Sequence, residues 1–195
     1  MQLETLIARN RSFRRFHPEP RPGRASLEAW VGLARLAASG GNRQPLHYWL
    51  VHEPADCAAV FPHTRWAGLL KGWRPAADEV PTAYVLVLAA PGGATPQADA
   101  GIAMQTLLLA AVEAGFGGCM LGAIDRPAIM QALGIPAVFE LLYAVALGKP
   151  AETCLIEEAR GDDTAYYRTA DGVHHVPKLP LTSLILNAAP PEPGA

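Results

Sequence analysis

Four arginines, a serine and two phenylalanines stand within eight residues at Arg9-Asn10-Arg11-Ser12-Phe13-Arg14-Arg15-Phe16. Guanidinium groups beside a hydroxyl can clamp an oxyanion, because a planar fork of N–H donors matches the geometry of phosphate. A second segment, Ser39-Gly40-Gly41-Asn42-Arg43-Gln44-Pro45, is a glycine-softened turn that carries amide side chains ahead of an apolar run. It offers neutral hydrogen-bond groups to a planar heterocycle. A third, Gly115-Phe116-Gly117-Gly118-Cys119-Met120-Leu121-Gly122, has glycines where backbone could approach a flat ligand without an intruding Cβ. Together the three suit a nucleotide-like cofactor that carries a phosphate.

Two readings of the arginine cluster stand side by side at this point: a solvated basic face and a local anion site. The net charge of −2 leaves no broad basic field for a polyanion, so no nucleic-acid partner is expected. Phe13 and Phe16 are expected to face inward, which favours a partly buried site over a stripe.

The third segment is not a dinucleotide fingerprint. That motif needs its glycines after a strand and before a helix, so that the helix N-terminus meets the pyrophosphate. Here the order is helix, glycines, strand. Ser12, Ser39 and Cys119 lack the flanking patterns of hydrolase nucleophiles. His47, His52, His63, His174 and His175 are too scattered or too divergent for a metal site, and none is expected. Cys57, Cys119 and Cys154 are odd in number and far apart, which fits neither a disulfide framework nor zinc. With no acid–base set beside the two grips, a cofactor is expected to carry the reaction, and no catalytic side chain is assigned.

The elements that must position these groups follow from periodicity. A short helix is expected over residues 3–8, and another over 27–38 with Ser26 as N-cap and Gly40-Gly41 as its end. Strands are expected over 48–52 and 83–90, the second buried on both faces. Thr95-Pro96 opens a helix to about Ala114 whose apolar residues surround the axis, ended by Gly115. A strand over 119–124, a short helix capped by Asp125, and a strand over 141–147 closed by Gly148-Lys149-Pro150 follow. A polar stretch and a short helix over 181–187 complete the chain. Residues 56–81, with Trp66 and Trp73, read either as a mobile cover over a pocket or as a satellite hydrophobic cluster.

The class is therefore α+β, expected as one domain over residues 1–188 and a flexible tail over 189–195. Half the residues are apolar and 17% charged, so surface hidden in an oligomer is expected. The apolar run at 102–112 is far shorter than the ~20 residues that span a bilayer, and the N-terminus shows no signal-peptide pattern. A cytoplasmic protein without a membrane partner is the expectation.

At these residues the chain resembles the nitroreductase family, to about Leu186. The likeness rests on Arg11-Ser12-x-Arg14, on the Ser-x-x-Asn-x-Gln-Pro element at Ser39 to Pro45, and on Gly-Phe-Gly-Gly leading to Leu121-Gly122-Ala123. The Leu-Gly-Lys-Pro strand end and Lys178 before Leu179 complete the series. The resemblance implies an intertwined homodimer with a central mixed or antiparallel sheet of about four strands flanked by helices. It also implies bound FMN, with NADH or NADPH as donor and a small electron-poor acceptor such as a nitroaromatic or quinone. Carried over, Arg11, Ser12 and Lys178 would grip the phosphate and ribityl end, and Arg14 the pyrimidine edge. Ala38, Ser39, Gly40 and Asn42 would come from the partner subunit. Leu121, Gly122 and Ala123 would lie along the isoalloxazine face. Asn10 stands where the family usually has arginine, and Leu46 where tryptophan is common. Flavin fragmentation or dehalogenation on the same scaffold, and a flavin-storing or regulatory dimer without turnover, are the alternatives. The deiodinase branch is disfavoured, since residues 56–81 show no acidic, tyrosine and lysine trio.

Overall fold

The structure is a computed structural model and describes residues 2–92 and 96–187. Thr95 and the expected tail at 189–195 lie outside the described residues. By contact the chain divides into two compact units, Met1–Glu152 and Thr153–Ala195.

The first unit is built on an antiparallel sheet of five strands: β1 (Phe16–His17), β2 (Leu46–Val51), β3 (Ala83–Ala89), β4 (Gly117–Leu121) and β5 (Glu140–Pro150). β5 pairs with β1, β3 and β4, and β3 pairs in turn with β2. Every residue of β3 is buried, as its unbroken apolar run requires. Its alternating side chains feed two cores. Ala83, Val85 and Val87 pack with α2 (Arg24–Ala34) and α4 (Pro96–Glu113), while Tyr84, Leu86 and Leu88 pack with α3 (Pro54–Val60) and α5 (Arg126–Ala132). The α+β class and the four main strands are as expected, and the arginine segment adds the fifth.

Several boundaries differ. α2 starts at Arg24 behind Gly23, so Ser26 lies inside its first turn, and the helix stops at Ala34 rather than at Gly40-Gly41. Ala37 and Ala38 belong to the loop, which leaves the helix through tight turns from Leu36 N–H to the Leu33 carbonyl and from Ala37 N–H to that of Ala34. β5 runs on through Gly148-Lys149-Pro150, because β1 and β4 supply partners to those residues. Residues 56–81 are partly helical, through α3 and a 3-10 turn at Phe61–His63. Trp66 is buried in the second core and its Nε1 donates to Thr64 Oγ1 at 2.8 Å, so the satellite-cluster reading holds for it.

α4 begins at Pro96 and ends at Glu113, with Gly115 at φ +82° after it. It is not buried all round in a single chain. Asp99, Ala100, Ala103, Met104, Leu107, Leu108, Ala111 and Val112 are covered, whereas Ile102 is 45% exposed and Gln105 and Glu113 are open on the same flank. α1 (Leu3–Arg9) packs beside α4 yet buries none of its own residues.

The second unit holds three strands that composition did not reveal: β6 (Cys154–Glu158), β7 (Tyr167–Arg168) and β8 (His174–Lys178), followed by α6 (Leu181–Leu184). β6 and β8 are parallel, and β7 is antiparallel to β8. As expected of adjacent residues on a strand, the two histidines diverge. His174 is buried against Tyr166, and His175 stacks on Tyr167 with its Nδ1 2.9 Å from Glu157 Oε2. That hydrogen bond holds the Glu157 carboxyl below its usual range.

Cys57, on α3, is buried in the second core, and burial pushes its thiol up to about 11. The thiolate is the reactive species. At pH 8 Cys57 should therefore resist thiol reagents in the folded protein and react once denaturant is added, as time-resolved labelling would report. The sign of the shift also means that stability falls as pH rises from the ordinary thiol range toward 11, where the unfolded chain has shed a proton that the folded chain keeps. Fast labelling of Cys57 without denaturant would contradict this placement.

Candidate functional site

The arginine segment is laid along β4. Ser12 forms a bridge with Gly118, and the Phe13 N–H donates to the Gly118 carbonyl at 3.0 Å. The segment is fixed from its other side by Glu152, which accepts from the Arg14 and Arg15 N–H groups. Its arginines then divide in role. Arg15 forms a two-point ion pair with Glu79, with Nε donating at 2.8 Å, and the carboxylate raises its pKa. Arg15 is thus structural. Arg11 Nη2 donates to the Ile7 carbonyl at 2.6 Å and Arg14 Nη1 to the Ser12 carbonyl at 3.1 Å. As residues Arg11 and Arg14 are half-buried, and Ser12 between them is exposed. Burial pushes the neighbouring Cys119 thiol up, against the opposing influence of Arg14 and Ser12.

At the far end of β4 Leu121 is buried, while Gly122 and Ala123 just past it are exposed. This turn is stitched from below. The Ala123 carbonyl accepts from the Arg65 N–H at 3.0 Å. Arg126 Nη2 donates to the carbonyls of Gly122 at 3.2 Å and Leu142 at 2.8 Å, and its Nε donates to that of Leu141 at 2.9 Å. Arg126 and Glu152 hold the site's backbone and were not foreseen. Their sequence signals, a helix start and a lone acid, say nothing about which carbonyl or N–H they reach.

The glycines before Leu121 serve the protein's own packing. A Cβ on Gly117 would lie 2.6 Å from the Phe13 ring, and one on Gly118 would fall onto the Ala146 carbonyl oxygen. The expectation that these two admit a flat ligand is corrected: Phe13 and β5 already fill the space.

Ala38, Ser39, Gly40 and Asn42 lie on the loop that enters β2. In one chain β2 and β4 are separated by β3 and β5, roughly 14 Å at the usual strand spacing. The structure therefore brings together Arg11, Ser12, Arg14, Leu121, Gly122 and Ala123 along one sheet edge, and Ala38 to Asn42 at the other. Lys178 is exposed at the end of β8 in the second unit.

A sequence model of the nitroreductase family matches residues 7–149. This chain belongs to the nitroreductase family. The match spans β1 to β4, β5 as far as Lys149, and the candidate site residues Arg11, Ser12, Arg14, Ala38, Ser39, Gly40, Asn42, Leu121, Gly122 and Ala123. Solved structures of nitroreductase proteins share the fold. A family protein from Clostridium difficile is 18% identical with a TM-score of 0.67, over 97% of this chain and 100% of that one. The FMN and NADPH-dependent nitroreductase NfnB from Sphigopyxis is 20% identical with a TM-score of 0.61, over 77% of this chain and 89% of that one. Iodotyrosine deiodinase bound to FMN and 3-iodo-L-tyrosine is 21% identical with a TM-score of 0.62, over 86% and 100% respectively. Among the described residues no helix is long and apolar enough to cross a membrane.

Proposed function

We propose that this protein is an FMN-dependent NAD(P)H oxidoreductase working as a cytoplasmic homodimer with its two sites at the subunit interface. The observation that carries the reading is the Ser12–Gly118 bridge. It lays Arg11, Ser12 and Arg14 beside β4, the strand that ends at the exposed Gly122–Ala123 turn. These residues fit FMN: a cationic, hydroxyl-bearing end suits a phosphate, and an exposed glycine turn suits a ring. When bound, FMN would supply two-electron redox chemistry between NADH or NADPH and an electron-poor acceptor such as a nitroaromatic or quinone.

Arg11 and Ser12 would hold the phosphate and ribityl end, with Lys178 as the further cation. Arg14 would stabilise negative charge at the pyrimidine edge, a fixed guanidinium needing little reorganisation as charge develops. A backbone N–H of the turn at 121–123 would face the ring nitrogen. Ala38, Ser39, Gly40 and Asn42 would reach the partner's cofactor, because in their own chain they stand at the wrong sheet edge. The open flank of α4 at Ile102 and the uncovered apolar residues Leu3 and Ile7 of α1 support an extensive interface.

Purified protein should release FMN, about one per chain, and its flavin absorbance should bleach under anaerobic NADH or NADPH. Recovery of FAD, or of no flavin after soaking with FMN, would overturn the cofactor. Bound FMN that neither nucleotide bleaches would mark a flavin-holding dimer without turnover.

A further inference from the structure

The loop that enters β2 has an unusual backbone. Gly41, Asn42 and Gln44 have φ of +58°, +53° and +48°. Two of the three are not glycine, and each side chain there sits in a region that L-residues rarely adopt. A pocket of about 150 Å³ opens beside the loop, lined by Ala34, Ala38, Ser39, Gln44, Tyr48 and Asp99. Polar contacts brace the turn. Ser39 Oγ accepts from the Gln44 N–H at 3.1 Å, and Gln44 Nε2 donates to Asn42 Oδ1 at 3.1 Å. Both of those are internal to the loop.

The fastening to the rest of the fold comes from Asp99, in the first turn of α4. Its Oδ1 accepts from the Gly40 N–H at 2.9 Å. Asp99 is only 4% exposed, and Oδ2 has no hydrogen-bond partner among the described residues. Burying a carboxylate with so few partners is costly. The α4 N-terminus offsets part of that cost, since the helix dipole favours a negative charge there.

We infer that Asp99 is a positioning residue, whose carboxylate pins Gly40 and so holds Ser39 and Asn42 in the conformation that receives the partner's flavin before the flavin arrives. This rests on the two-subunit site proposed above. The contribution is preorganisation: a loop already shaped loses less freedom on binding.

The test joins two readouts on the purified homodimer. Amide hydrogen exchange at Gly40 through Gln44, measured without FMN, reports the pin alone. FMN titration by fluorescence quenching reports its consequence. Asp99→Ala should exchange faster across the loop and bind FMN about 10-fold or more weakly, the effect of a lost charge-assisted hydrogen bond. Asp99→Asn keeps an acceptor oxygen for Gly40, and should restore slow exchange and stay within about threefold of the parent in FMN affinity. Should the alanine chain not fold, Asp99→Ser, whose hydroxyl is too short to reach Gly40, should give the same pair of changes. Unchanged exchange in Asp99→Ala or Asp99→Ser overturns the pin. Faster exchange with parental FMN affinity overturns the positioning role. Failure of asparagine to restore either readout also counts against it, since a role in packing alone would not distinguish the acceptor. Arg11→Ala, measured in parallel, shows separately whether the flavin site itself is correctly assigned.

Discussion

Replacing Arg11 with alanine should weaken FMN binding by about 10- to 150-fold while leaving the chain folded. That range corresponds to the roughly 1.5–3 kcal/mol of a charge-assisted hydrogen bond. The structure explains why the fold should tolerate the change. Arg11 Nη2 donates to the Ile7 carbonyl near the end of α1, a short helix that buries none of its own residues. The segment's position along β4 depends instead on backbone contacts at Ser12 and Phe13 and on Glu152. Titration with FMN, alongside circular dichroism, measures both halves of the expectation. Equal affinity in parent and variant would remove Arg11 from the site. Arg15→Ala is the informative contrast: it should lower the thermal midpoint through loss of the Glu79 pair and leave FMN affinity unchanged.

Gly118→Ala should be the most damaging single methyl in the first unit. The added carbon would fall onto the Ala146 carbonyl oxygen and lie 2.9 Å from side chains of both Leu108 and Leu147. A carbonyl within a paired strand cannot move aside without breaking the β4–β5 register, in which Gly118 faces Leu147. Overpacking of this kind costs about 3 kcal/mol or more where backbone must shift. In a chain of this size the thermal midpoint should then fall by roughly 6–12 °C. Because Ser12 bridges to Gly118, flavin affinity should fall with it. A thermal midpoint within a degree of the parent would show that β4 and β5 are not packed as described.

The parts of this molecule that follow from local pattern were legible in the chain. The all-apolar run of β3, the α4 helix with its glycine stop, and the Asp125 cap, whose Oδ1 accepts from the Ala128 N–H, are set by periodicity and capping chemistry that neighbours alone decide. The end of α2 was not: after Ala34 the chain closes with tighter turns, Leu36 N–H to the Leu33 carbonyl and Ala37 N–H to that of Ala34, and the loop beyond is fastened at Gly40 to Asp99, which is distant in sequence. Nor were β6 to β8: β7 has two residues and β6 finds its partner only across a long connection. At the site, the residue types that could meet FMN were visible in Arg11, Ser12 and Arg14. Which arginine is committed elsewhere was not, since Glu79 lies far along the chain from Arg15. The reason for Gly117 and Gly118 was misread for the same cause: Phe13 and Ala146, which fill the space around them, are brought there only by the sheet.

The account's central claim is that each flavin site is assembled from two chains. Mixing two defective variants tests it most directly. Arg11→Ala removes a phosphate grip that a chain would give to its own site, and a chain carrying Ser39→Ala with Asn42→Gly removes what it would give to its partner's. In a two-fold symmetric dimer, a mixed pair holds one site with both defects and one with neither. Each variant alone should bind FMN poorly. After the two are unfolded together, refolded and titrated, a tight-binding fraction should reappear, with parental affinity and one FMN per mixed dimer. No tight-binding fraction in verified mixed dimers, or tight FMN binding by a monomer in sedimentation, would contradict the shared site.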